Sequence, residues 1–213
     1  MNTIILDFDG TIGDTRSLIV RTFQQTLQHL GLPHYTDAQC AATIGLPLAE
    51  GFKVLLHCND NLSERCADVY RELFDENNHP GAVEMFPHVA DTIKTFAQRG
   101  DTVTIASSRF RQSLEDYVLN LGLKPYISYI VSACDVKNAK PAPDMVLVTL
   151  NHFQASKQTA WVVGDTTFDI QMGRSAGVKT VGVTYGNGSR EDLIKAGATH
   201  VIDRFNELLS FIK

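Results

Sequence analysis

Short apolar runs alternate with segments of helical spacing through most of this chain, and that alternation limits the folds open to it more than any other feature. The runs are residues 3–8 (TIILDF), 102–106 (TVTIA), 129–132 (YIVS), 160–163 (AWVV) and 180–183 (TVGV). Each is too short for a helix and too continuously apolar for a strand with one wet face, so each predicts a buried strand. Helical spacing fills the gaps at 89–98, 111–121, 143–151, 169–176 and 190–196, the last with Ser189 placed as its N-cap. Strands separated by helices pair in parallel through right-handed crossovers, and their sheet is buried on both faces.

One interval breaks the pattern. Residues 14–85 hold no convincing strand, only helical patterns at 15–30, 38–42, 48–56 and 62–77, interrupted by Gly31-Leu32-Pro33 and Gly45-Leu46-Pro47. The expectation is an α/β protein with a Rossmann-like parallel sheet covered by helices on both faces. Its core comprises residues 1–13 and 86–213, and a small helical domain, residues 14–85, is inserted after the first strand.

Charge narrows the partner. The chain's 213 residues carry 19 basic and 24 acidic side chains for a net charge of -5, and residues 14–85 hold 10 of the acids against 5 of the bases. No Lys/Arg block supplies the basic footprint that a phosphate backbone needs, so nucleic acid is not the expected partner. No apolar run approaches the roughly 20 residues of a membrane span. The start of the chain reaches Asp7 without a basic, apolar leader, and Cys40, Cys58, Cys66 and Cys134 have neither zinc-site nor C-x-x-C spacing. The expectation is a cytoplasmic protein with reduced, mostly buried thiols that acts on a small molecule. Its oligomeric state is left open.

The chemistry gathers at predicted strand ends, where parallel sheets form their ligand crevice. Asp7-Phe8-Asp9-Gly10-Thr11 follows the first strand, and period-2 alternation turns Asp7 and Asp9 the same way. Ser107-Ser108-Arg109 follows the second strand and precedes a helix, an arrangement suited to anions. Lys140 stands in a Pro-stiffened segment before another helix, and Gly164-Asp165-Thr166-Thr167-Phe168-Asp169 follows the AWVV strand. Four converging carboxylates repel one another unless a hard cation neutralises them, and an all-oxygen donor set favours Mg²⁺. A lysine opposite them offsets a carboxylate nucleophile and an incoming phosphate. Phosphoryl transfer fits this set: one carboxylate attacks phosphorus and another serves as acid, then base.

These four motifs in this order resemble the haloacid dehalogenase superfamily of aspartate-nucleophile phosphatases, and most nearly its phosphoglycolate phosphatase-like branch with a helical cap. The resemblance implies that Asp7 forms an aspartyl-phosphate and ligates Mg²⁺. It makes Asp9 the acid and base, with its backbone carbonyl on the metal. Asp165 completes the protein's metal ligands, and Asp169 holds the metal shell or Lys140. Thr11, Ser107, Ser108 and Lys140 bind the phosphate. The family usually has Thr then Asn where this chain has Ser107-Ser108, which keeps one hydroxyl and shortens the second side chain.

Asp9 separates the readings within that resemblance, because dehalogenases lack an acid two residues after the nucleophile. The sugar-phosphate mutases carry a His twelve residues past the nucleophile, where this chain has Ile19. The resemblance therefore implies a Mg²⁺-dependent phosphatase of a small phosphorylated metabolite, with phosphoglycolate favoured. A phosphosugar mutase is the alternative, followed by a pyrophosphatase or a phospho-acceptor signalling domain. Gly186-Asn187-Gly188 reads as a turn whose loop could border the crevice, and Arg16 and Arg21 as solvated helix residues, either of which could instead hold a substrate carboxylate. The stretch 43–48 (TIGLPL) matches the place where family caps approach substrate.

Overall fold

The structure, a computed structural model, describes residues 1–79 and 81–213. Among these, six strands form one parallel sheet: β1 (Thr3–Leu6), β2 (Thr102–Ser107), β3 (Tyr129–Ser132), β4 (Ala160–Gly164), β5 (Lys179–Val183) and β6 (His200–Ile202). Their order is β3-β2-β1-β4-β5-β6, so β1 lies between β2 and β4, and the chain winds outward in opposite directions on either side of it. That reversal opens a crevice at the carboxyl ends of β1 and β4. The sheet is the parallel α/β fold expected from the alternation. The five expected strands lie in it, and β6 is an addition.

Every residue of β1, β2 and β4 is buried, as expected for strands covered on both faces. The two faces belong to separate apolar clusters. Ile5, Ala106, Val131 and Val162 pack on one side with α7 (Asp144–Phe153) and α8 (Thr167–Ala176) through Met145, Val146 and Met172. Ile4, Leu6, Ile105 and Val163 face the other, with Ile93 and Phe96 of α5 (Val89–Gln98) and Leu114 and Val118 of α6 (Arg111–Asn120).

Four helices precede α5: α1 (Arg16–His29), α2 (Asp37–Ala41), α3 (Leu48–Leu56) and α4 (Asp60–Asn77). Helix α1 packs on α4 and α2, and α3 packs on α4. Phe23, Phe52, Tyr70 and Phe74 form their centre, with ring centroids 4.4–6.0 Å apart. Thr36 caps α2 in a reciprocal box with Gln39, and Asn59 caps α4 through the Leu62 N–H. The chain enters and leaves this group side by side. Gly13 bridges Met85, the Asp14 N–H donates to Glu84 O at 2.8 Å, and the Phe86 N–H donates to Ile12 O at 3.0 Å. The apolar cluster of these helices is continuous with the α5/α6 face of the sheet.

The remaining elements are α9 (Arg190–Lys195), capped by the Ser189 side chain as expected, and α10 (Leu208–Phe211). No described helix is long and apolar enough to cross a membrane. All four cysteines are free. Only Cys40 and Cys66 are buried, while Cys58 is half-buried and Cys134 exposed, so "mostly buried" holds for half of them.

Candidate active site

Strand β1 stops at Leu6, and its extension turns back in a tight loop in which the Ile12 and Gly13 amides donate to Phe8 O. Gly10 sits in that loop at φ +82°, and a side chain there would run into the Asp165 carboxylate and the Asn187 amide. The loop thereby brings the first motif against the fourth. Asp7 is anchored by its own N–H, which donates to Val163 O at 2.9 Å.

Around Asp7 lies a buried ionic cluster. Asp7, Asp165 and Asp169 each place a carboxylate oxygen within 4.8 Å of the others. Lys140, 3% exposed, donates to Asp7 Oδ1 at 2.5 Å and pairs with Asp169 Oδ1 at 2.7 Å. Asp169 also closes a capping box at the start of α8: its Oδ2 accepts from the Thr166 N–H at 3.0 Å and the Thr166 hydroxyl at 2.7 Å. One residue thus caps a helix and holds the lysine. Asp165 Oδ2 accepts from the Asn187 N–H at 2.7 Å and side-chain amide at 2.9 Å, and its Oδ1 accepts from the Thr11 hydroxyl at 3.3 Å.

The electrostatics follow from this crowding. Burial pushes the Asp7 carboxyl well above the usual carboxylate range; Lys140 pulls against it, while Asp169, Asp165 and Asp9 add to it. Burial, then Asp169, pushes Asp165 up to about 7 against the opposing hydrogen bonds from Asn187. Burial disfavours the Lys140 ammonium, yet Asp169 and Asp7 outweigh it and hold it above its ordinary value. Three carboxylates around one ammonium leave an uncompensated charge that a divalent cation would balance. Asp7 Oδ2 is buried without a hydrogen-bond partner among the described residues. An unpartnered carboxylate oxygen within an all-oxygen set suits a hard cation, so the residues present fit such a metal.

Asp9 departs from the expected convergence. Its carboxylate lies outside the three-acid cluster and is held by Arg109, whose Nη2 donates to Oδ1 at 2.7 Å while Nε reaches both oxygens at 3.2–3.3 Å. The pair is nearly dry, with side chains 9% and 13% exposed. Burial opposes the Arg109 charge, but Asp9 outweighs it and holds the guanidinium above its usual range. The same guanidinium lies 5.0 Å from the ring centres of Phe74 in α4 and Tyr117 in α6. Arg109 therefore touches an expected catalytic group and helix α4 together.

Ser107 and Ser108 behave differently from each other. Ser107 is buried, and its hydroxyl accepts from the Arg109 N–H at 3.3 Å. The Ser108 hydroxyl donates across to Gly45 O at 2.6 Å, bonding the second strand end to the 43–48 stretch. That stretch and the strand ends enclose a cavity of about 480 Å³, lined by Asp7, Asp9 and Ser107 at one end. Arg16 and Arg21 are exposed and stand outside it.

Two residues in this arrangement escaped sequence reasoning. Arg109 was read only as part of the second motif, although no pattern in its own segment marks a partner a hundred positions away. Asn187 sits in what was expected to be a turn, yet it secures Asp165, and Arg16 donates to its Oδ1 at 3.1 Å. Its signal was available: a Gly-Asn-Gly segment just after a strand adjacent to β4 lies at the crevice side of the sheet.

Comparison with known proteins gives the family. A family model described as haloacid dehalogenase-like hydrolase matches residues 4–183. The chain belongs to that family, and it is an enzyme of the phosphatase type. The pyrophosphatase PpaX of Bacillus pumilus is 30% identical over 212 residues, covering all of this chain and 96% of its own. A Dickeya dadantii relative named "Probable phosphatase IndB" is 32% identical over 209 residues, covering 97% of this chain and 91% of its own. The solved structure of a haloacid dehalogenase-like family hydrolase from Streptococcus pneumoniae superposes with a TM-score of 0.87 at 21% identity, over 100% of this chain and 99% of that one, a likeness of fold.

Proposed function

We propose that this protein is a Mg²⁺-dependent phosphatase that hydrolyses a small phosphorylated metabolite through an aspartyl-phosphate on Asp7. One observation carries the reading: Asp7 lies at the end of the central strand with one oxygen held by Lys140 and the other without a hydrogen-bond partner among the described residues. In this reading Asp7, Asp165, Asp169 and the Asp9 backbone carbonyl hold the metal. When bound, Mg²⁺ would neutralise the carboxylates and polarise the phosphoryl oxygens.

The chain's own groups supply the rest. Asp7 attacks phosphorus, and Lys140 offsets its charge together with that of the arriving phosphate. Asp9, which faces Arg109 in the structure, takes the acid role when it carries a proton, giving it to the leaving oxygen and then taking one from the water that cleaves the acyl phosphate. Ser107, Thr11 and the Ser108 segment hold the phosphate. Residues 14–85 serve as a cap over a core made of 1–13 and 86–213, and the cavity between them excludes water from the reaction. Phosphoglycolate enters the substrate list from the resemblance and pyrophosphate from the relatives' names. A mutase is less favoured because Ile19, an apolar residue, lines the cavity where a proton-transferring His would be needed.

The test is phosphate release at controlled Mg²⁺ from a panel of small phosphate compounds. Wild-type protein is expected to release phosphate, and Asp7→Asn to lose all measurable turnover; equal turnover by both would defeat the proposal.

A further inference from the structure

The cavity next to Asp7 has a mainly apolar wall. Beyond Asp7, Asp9 and Ser107, its wall is formed largely by Ile44, Leu46, Leu48, Phe74 and Phe110. The lining holds two cations among the described residues, and each already faces a carboxylate. Arg109 is committed to Asp9 in a nearly dry pair, and Arg71 pairs with Asp68 at 2.6 Å. Glu64 and Asp75 line the same space. A substrate with a second anionic group beyond the phosphate would thus leave water for an apolar and acidic wall whose two arginines each already face a carboxylate. Size points the same way. At about 480 Å³ the cavity falls in the range of roughly 300–1,000 Å³ that holds ligands with substantial carbon frameworks, well beyond the needs of a two-carbon acid.

Resting on the phosphatase reading above, we infer that the substrate class of this site is a phosphomonoester of an uncharged, largely apolar alcohol, with Leu46 and Leu48 packing on the carbon frame. Phosphoglycolate and pyrophosphate, each with a second anionic group, are then poor substrates. The half-burial of Leu46 and Leu48 leaves apolar surface for a ligand to cover, which is the source of selectivity for an apolar group.

The experiment compares kcat/KM for benzyl phosphate, n-butyl phosphate, phosphoglycolate and pyrophosphate at saturating Mg²⁺. Benzyl and n-butyl phosphate are expected to exceed the other two by about tenfold or more. Leu48→Arg, which places a cation on the wall, is expected to narrow the ratio of benzyl phosphate to phosphoglycolate by about tenfold, with Leu46→Arg as the second variant should the first fail to fold. Arg71→Ala should leave the wild-type ratio in place. Equal rates across the panel, a preference for phosphoglycolate or pyrophosphate, or loss of phosphoglycolate turnover in Arg71→Ala would overturn the inference while leaving the phosphatase reading intact. Release of phosphate from none of the four would overturn that reading and this inference with it.

Discussion

At the scale of single residues, the site is organised by carboxylates that cannot all be charged comfortably. Asp165 has an ordinary value of 3.8 and is pushed up to about 7 by burial, and Asp7 moves in the same direction. A carboxyl whose folded value is raised keeps its proton in the folded state after the unfolded chain has released it. Stability of the metal-free protein therefore falls as pH rises from about 4 to 7, by up to roughly 1.4 kcal/mol per pH unit from this one group. Urea midpoints measured in chelator should show a larger loss between pH 5 and 8 in the wild type than in Asp165→Asn. Mg²⁺ should restore stability more at pH 8 than at pH 5, and an equal loss in both proteins would contradict the assignment. Arg109 makes a second case. Removing it strands the Asp9 carboxylate in a nearly dry pocket, so Arg109→Ala should destabilise by about 3 kcal/mol or more. Asp9→Asn added to Arg109→Ala should recover part of that loss, which denaturant unfolding of the two variants would measure. These pairings explain what sequence could not reveal. The four motifs were readable because each follows a strand, whereas the Arg109–Asp9 contact joins residues whose separation obeys no period. Its existence depends on how the second strand end is seated against the first.

At the scale of elements, the sequence carries the parallel strands well because burial on both faces leaves apolar runs without alternation. Strand β6 was missed for the opposite reason. It has three residues, begins with an exposed His200 and is only fully buried at Ile202, so it offers neither a run nor a period. Helix α10 has four residues and is equally silent. The loop after β5 was underrated on composition, since Gly-Asn-Gly reads as a turn wherever it occurs. In the fold it holds Asp165 by two hydrogen bonds, so Asn187→Ala should weaken Mg²⁺ binding by about 10- to 100-fold, as loss of a ligand-orienting partner does. Calorimetric titration with Mg²⁺ would measure this, and an unchanged affinity would show that the loop merely borders the site. Gly186 shares that duty, since a side chain there would collide with the Asp165 carboxylate and the backbone of Gly10.

At the scale of the whole molecule, the helices of residues 14–85 and the sheet share one apolar cluster on the α5/α6 side. A shared core makes independent melting of the two parts unfavourable, so the chain should unfold in one step. Its single tryptophan, Trp161, reports from buried β4, while far-ultraviolet dichroism is dominated by the helices, both those within residues 14–85 and those that cover the sheet. Urea transitions followed by the two signals should coincide; separated midpoints would mean that the insertion unfolds alone. The paired segments at 12–14 and 84–86 bear on movement of a different kind. Because the chain crosses there twice at adjacent points, joined by backbone hydrogen bonds, the crossings behave as one axle. Sliding of the helical group across the sheet would break those bonds, whereas turning about them need not. The degree of freedom left is a swing, and the Ser108–Gly45 hydrogen bond, which ties the 43–48 stretch to the second strand end, is a latch that such a swing would have to release.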